Sequence, residues 1–166
     1  VVGGTFSSAG GVPAANIAAW NGQNWHALGA GVPQYLVRSL CIYNNELIVG
    51  GEFTTAGGLP INNIAAWNGT SWRPLGTGTS GGTSGTPGRI NQMIVVDGNL
   101  IAVGSFDTAG GVPARNVASW DGSAWRAMGA GIGGAPDYNS LFAIALHNGT
   151  LYAGGHFAQA GVSSTT

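Results

Sequence analysis

Lysine is absent from this chain, and charge of either sign is scarce. Five arginines (Arg38, Arg73, Arg89, Arg115, Arg126) stand against six acids, giving 7% charged residues and a formal net charge of -1 over 166 residues. A surface without a basic stripe cannot neutralise a run of phosphates, so no nucleic-acid partner is expected. The longest apolar runs, such as Met93 to Val96 and Leu100 to Val103, fall far short of the ~20 residues of a membrane-crossing helix, so no membrane span is expected either. The single cysteine, Cys41, leaves no intrachain disulfide framework and reads as a small buried hydrophobe. The only histidines, His26, His147 and His156, fall in different parts of the chain, and the acids Glu46, Glu52, Asp97, Asp107, Asp121 and Asp137 are equally scattered. No G-x-S-x-G, H-E-x-x-H or calcium-loop pattern occurs. The expectation is a chain with no catalytic residue, no metal site and no cofactor.

What the sequence does contain is repetition. Trp20-Asn21-Gly22-Gln23-Asn24-Trp25 returns as Trp67-Asn68-Gly69-Thr70-Ser71-Trp72 and as Trp120-Asp121-Gly122-Ser123-Ala124-Trp125. Ahead of each Trp pair come a Phe, an Ala-Gly pair and a Pro, at Phe6 to Pro13, Phe53 to Pro60 and Phe106 to Pro113, and a fourth copy begins at Phe157. The Phe residues are 47, 53 and 51 apart, a period that belongs to solenoids, propellers and arrays. Glycine is abundant at 31 residues, but regularly placed Trp, Phe, Ile, Leu and Val argue for a packed β core rather than disorder.

Each copy reads as four short β segments, A to D. In the copy that starts at Leu36 they cover Val37 to Tyr43, Glu46 to Phe53, Asn63 to Trp67 and Ser71 to Leu75. The A–B connections (Asn44-Asn45, Asp97-Gly98, Asn148-Gly149) and the C–D connections (Asn21-Gly22, Asn68-Gly69, Asp121-Gly122) both suit two-residue type I′ hairpins. That register sets Trp20 opposite Gln23 and Ala18 opposite Trp25, with both indoles on one side and Ile17 and Leu28 on the other. A sheet apolar on both faces must be sandwiched between neighbours. The six Trp residues (Trp20, Trp25, Trp67, Trp72, Trp120, Trp125) and Phe6, Phe53, Phe106 and Phe157 are accordingly expected in the packing between units. The Gly pairs of segment B (Gly50-Gly51, Gly154-Gly155) mark close approach or a bulge.

An apolar strand ending in a Gly pair, then a loop, two aromatics flanking a hairpin and a Leu-Gly exit together resemble kelch-type propellers. With the Ala-Gly-Gly-x-Pro insert, the pattern is similar to the kelch-like and delta-60-like tandem repeats of bacterial surface and secreted proteins. The resemblance implies an all-β propeller of four-stranded antiparallel blades and an extracellular or cell-surface location. It also implies a binding or scaffold role and says little about the ligand; the expectation is a non-catalytic structural, adhesion or ligand-binding module, with glycans as candidate ligands of its long-loop face. The kelch-like group includes galactose oxidase, so the alternative is the propeller portion of a secreted oxidase or polysaccharide-acting enzyme.

The expected units are a partial blade over 1–36 (strands B, C, D), blades over 37–78 and 79–131, and a partial blade over 132–166 (strands A, B). Three blades' worth cannot close a ring of 4 to 8, so the expected partners are further blades of the same chain or a second copy. The first residues already lie inside a repeat and there is no initiator Met, which favours a processed chain or a window from a longer one. Asn68 and Asn148 fit the N-glycosylation pattern, although NG turns followed by Thr arise for hairpin reasons alone.

An A-B-C-D meander puts the short A–B and C–D turns at one end and the longer B–C and D–A connections at the other. The D–A linkers, Val32 to Leu36, Thr79 to Gly88 and Ile132 to Ser140, differ most among copies, and variable loops on a repeated scaffold are where function is grafted. The candidate ligand-binding residues there are Tyr35, Arg38, Arg89, Asn91, Asp137, Tyr138 and Asn139. Gln34 belongs with them, and Asn62 and Arg115 in the B–C loops rank second.

Overall fold

The A–B turns show how short sequence signals become strands. Asn44 and Asn45 (φ 49° and 61°), Asp97 and Gly98 (48° and 75°), and Asn148 and Gly149 (49° and 74°) all take left-handed backbone. Tyr43 therefore sits opposite Glu46, Val96 opposite Asn99 and His147 opposite Thr150. This is the expected I′ geometry, whose twist matches that of paired antiparallel strands.

The computed structural model describes residues 1–82, 88–133 and 139–160, and its regular structure is entirely β. Two complete four-stranded antiparallel sheets run A-B-C-D: Leu36–Tyr43, Glu46–Glu52, Ile64–Trp67 and Trp72–Pro74, then Arg89–Val96, Asn99–Ser105, Val117–Trp120 and Trp125–Ala127. They are flanked by a leading B, C, D sheet (Val2–Gly3, Ile17–Trp20, Trp25–Ala27) and a trailing A, B pair (Ser140–His147, Thr150–His156). In all three A strands the register slips by one residue opposite the B-strand glycines, between Val37 and Ser39, Ile90 and Gln92, and Leu141 and Ala143. A Cβ on Gly51 would collide with the carbonyl of Leu36, so the missing side chain lets the bulged strand press in.

The C–D hairpins depart from expectation. Trp20 lies opposite Trp25, Trp67 opposite Trp72 and Trp120 opposite Trp125, so the connection is four residues long and Ala18 meets Ala27 rather than Trp25. The reason is side-chain capping. Asn21 Oδ1 accepts from the backbone N–H groups of Gln23 and Asn24 at 2.9 and 2.8 Å, and Asn68 and Asp121 do the same in the later copies. Asn in this role takes the place of a left-handed residue, which a two-residue I′ turn would have required. The shift of register is an even number, so both indoles still share one side. Their ring centroids lie 5.2 to 5.4 Å apart and are tilted by about 50°.

The core lies between sheets rather than within one. Trp72, Leu47, Val49, Phe53 and Ala65 of the second sheet pack on Ile17 and Leu28 of the first. Leu100, Ala102, Phe106, Trp120 and Trp125 of the third pack on Tyr43, Ile48, Ile64, Ala66 and Leu75 of the second. Neighbouring sheets approach most closely along their A strands, Leu36–Tyr43 against Arg89–Val96 and Arg89–Val96 against Ser140–His147, and the D strands make no comparable approach. The gap that opens toward the D strands is filled by indoles. Trp72 Nε1 donates to the Leu28 carbonyl, and Trp125 Nε1 to that of Leu75, each at 2.8 Å. At the leading sheet Trp20 is 49% exposed, and the Trp25 indole has no acceptor among the described residues.

Candidate functional site

The loops at the long-connection end are more ordered than an open-loop reading suggests. Each Ala-Gly-Gly-x-Pro insert folds into a two-stranded hairpin, such as Thr55–Ala56 with Leu59–Pro60. The hairpin is zipped to the D–A linker ahead of it: Gly57 N–H donates to Gly31 O at 2.7 Å and Gly110 N–H to Gly78 O at 2.8 Å. In the third unit, Thr79–Ser80 adds a strand to the Thr108–Ala109 hairpin. A Cβ on Gly57 would overlap the Trp72 indole, which ties this hairpin to the aromatic layer.

Three asparagines that the sequence reading passed over hold the linkers in place. Asn16, Asn63 and Asn116 are buried with φ of 62° to 63°. Each Oδ1 accepts the N–H of the repeat's Phe, from Phe6, Phe53 and Phe106 at 2.9, 3.2 and 3.1 Å. Each Nδ2 donates to a linker carbonyl, of Val32, Thr79 and Ile132, at 2.7, 3.0 and 2.7 Å. A buried Asn in left-handed backbone is well suited to this, because its amide satisfies a donor and an acceptor that no strand pairs. The signal was an Asn ten residues after each Phe, in all three copies.

Held by these contacts, the first linker pushes Pro33, Gln34 and Tyr35 outward. Tyr35 has φ 58° and is 63% exposed, and its carbonyl accepts from Asn16 Nδ2 at 3.3 Å. It stands between two open clefts. One, of about 340 Å³, is lined by Gln34, Tyr35, Glu52, Phe53, Thr54 and Asn63. The other, of about 560 Å³, is lined by Thr5, Phe6, Ser7, Ala15, Asn16, Pro33 and Tyr35. The Thr54 hydroxyl donates to Gln34 Oε1, and Arg38 stands 3.8 Å from Glu52.

The remaining candidates divide. Arg38 and Asn91 occupy the bulge positions of successive A strands and meet, with Phe142 at the third bulge, around a shallow recess of about 370 Å³. Asn91 Nδ2 is committed to structure, donating to Ser140 Oγ at 3.1 Å and to Leu141 O at 2.7 Å. Asn139 is buried and Arg89 half-buried at the start of its strand. Asn62 Nδ2 reaches Thr77 O at 3.4 Å, and the Arg115 carbonyl accepts from Ile132 N–H. Asp137 and Tyr138 lie outside the described residues.

Titratable groups add little reactive chemistry. Burial pushes the Cys41 thiol up to about 11, the opposite of what a nucleophile needs. Asp121 is held well below the usual carboxylate range by hydrogen bonds from the Ser123 hydroxyl and from the Ala124 and Ser123 N–H groups, all within its turn. The Arg73 guanidinium lowers Glu46 in the same way. Among the described residues no three His, Cys, Asp or Glu side chains converge as a metal site. No protein-family model matches the chain, and no match is found among curated proteins.

Proposed function

We propose that this chain is a segment of a non-catalytic, extracellular or cell-surface β-propeller built of kelch-like blades. On this reading it serves as a structural or adhesion scaffold and binds ligands at its linker face. The observation that carries the reading is the wedge-shaped stacking: sheets meet along their A strands, and paired indoles fill the space between D strands. Sheets of that form fan around an axis, and propellers of this architecture contain 4 to 8 blades. The Trp20 and Trp25 face then takes a further sheet of the same repeat, from the same polypeptide or from a second copy.

The conserved chemistry within each copy is consumed by the fold, since turn Asn and Asp cap hairpins, buried Asn lock linkers and Trp bond the preceding sheet. What varies is the linker, and with it the exposed side chains. The test is a glycan array or surface pull-down with the purified chain. Binding that disappears when Tyr35, Arg38, Arg89 and Tyr138 are replaced together supports the reading. Retained binding sinks the site, and copper-dependent oxidase or polysaccharide-cleaving turnover overturns the non-catalytic role.

A further inference from the structure

The first D–A linker carries a residue that folding does not ask for. Tyr35 occupies left-handed backbone, which is uncommon for a residue other than Gly, Asn or Asp, and it is largely exposed. The positions directly ahead of strand A in the next two copies, Gly88 and Asn139, carry no aromatic ring. Among the described linker residues Tyr35 is the one aromatic side chain, on a short linker held by Asn16 and by the Gly57–Gly31 hydrogen bond. Backbone held out of its preferred region in a firmly anchored loop is a feature of ligand-binding positions.

The surroundings of the ring specify the ligand. The cleft on the Gln34 side, at about 340 Å³, falls in the ~300–1,000 Å³ range of small-molecule sites. Because the Thr54 hydroxyl is spent on Gln34 Oε1, the Gln34 amide N–H groups remain as donors and the Thr54 lone pairs as acceptors. Glu52 adds a carboxylate whose charge is answered by Arg38 at 3.8 Å, so the cleft offers donors and acceptors without net charge. A pyranose ring matches this set. Its C–H face is weakly positive and complements the negative π face of an aromatic ring, while its edge hydroxyls both donate and accept. Anionic sugars are disfavoured because the cleft lining holds no cation to pair with them, Arg38 being engaged with Glu52.

We propose that Tyr35 is the stacking platform of a binding site for a neutral saccharide, with Gln34, Glu52 and Thr54 contacting its hydroxyls. This rests on the linker face being a binding surface, and the test separates the two. The purified chain is titrated with cellohexaose, maltohexaose and chitohexaose as neutral probes and with heparin and polygalacturonate oligosaccharides as acidic ones. Expected is binding of at least one neutral probe, weakened tenfold or more by Tyr35→Ala and retained by Tyr35→Trp. Tyr35→Gly removes the ring and the backbone strain together, so it binds as weakly as Tyr35→Ala yet melts at or above the parent temperature. A lower melting temperature for Tyr35→Gly makes the tyrosine a structural residue and overturns the proposal. Neutral binding untouched by Tyr35→Ala overturns the site and leaves the linker-face reading standing. Binding of acidic probes alone overturns the ligand class, and binding of none overturns both.

Discussion

Replacing Asn63 with Ala tests the account of how the linkers are held. Asn63 satisfies the Phe53 N–H at 3.2 Å and the Thr79 carbonyl at 3.0 Å, and Phe53 and Thr79 are each only 1% exposed. Stranding a buried donor and a buried acceptor costs about 1–3 kcal/mol each. Placing Ala at φ 62° adds about 1 kcal/mol of left-handed strain. The expected loss is roughly 3–7 kcal/mol, a large share of the ~5–15 kcal/mol by which a domain is stable. In urea, followed by tryptophan fluorescence, an m value of about 2 kcal/mol/M moves the midpoint down by about 1.5–3.5 M. Asn63→Gly loses the same hydrogen bonds without the strain and should recover about 1 kcal/mol of the loss. Asn116→Ala should match Asn63→Ala, because Phe106 and Ile132 replace Phe53 and Thr79 at similar distances. A loss below about 1 kcal/mol for Asn63→Ala, or Gly no better than Ala, would refute the reasoning.

Three further outcomes follow from neighbouring contacts. Trp72→Phe and Trp125→Phe remove one of the two hydrogen bonds accepted by the Leu28 and Leu75 carbonyls, which keep the Gly31 and Gly78 N–H groups, and should each lower unfolding stability by about 1 kcal/mol or more, whereas Trp25→Phe, with no acceptor among the described residues, should cost less. Gly58→Ala meets open space and bears only left-handed strain of about 1–2 kcal/mol, while Gly57→Ala also overlaps Trp72, so thermal melting should rank Gly57→Ala clearly lower. Asp121 has a depressed carboxyl, so its stabilisation is complete above the unfolded value of about 3.9 and is lost as pH falls through the folded value. Asp121→Asn, which copies the neutral caps Asn21 and Asn68, should flatten the decline in melting temperature below about pH 4, and an unchanged acid limb would count against the turn hydrogen bonds as its source.

Much of the architecture could be read from local patterns because their causes are local. The A–B turns need left-handed residues, and Asn44-Asn45, Asp97-Gly98 and Asn148-Gly149 supply them wherever they occur. The B-strand glycines signalled close approach, and the A-strand bulges answer them. The C–D register misled because an Asn-Gly pair suits two turns. Whether Asn contributes its backbone angle or its side-chain oxygen depends on the residues that follow, here the N–H groups of Gln23 and Asn24. The Asn16, Asn63 and Asn116 locks were visible as a recurring spacing, but an Asn in a loop has so many uses that recurrence alone did not name one. Of the candidate residues, Tyr35 stands free, Asn91 and Asn139 are drawn into packing, and nothing in the local sequence distinguished them.

Alternation of apolar and turn residues, repeated at intervals of 47 to 53 residues, was enough to determine four strands per unit, their order and the need for apolar neighbours on both faces. Those properties depend on pairings within one repeat, between residues no more than about 20 positions apart. Only the tertiary structure decided that the inserts become hairpins zipped to the preceding linker, that Trp72 and Trp125 reach back to Leu28 and Leu75, and that Tyr35 is left outside. Each of these depends on a partner more than 25 residues away or on the absence of one, and the chain carries no local mark of which atom will arrive there.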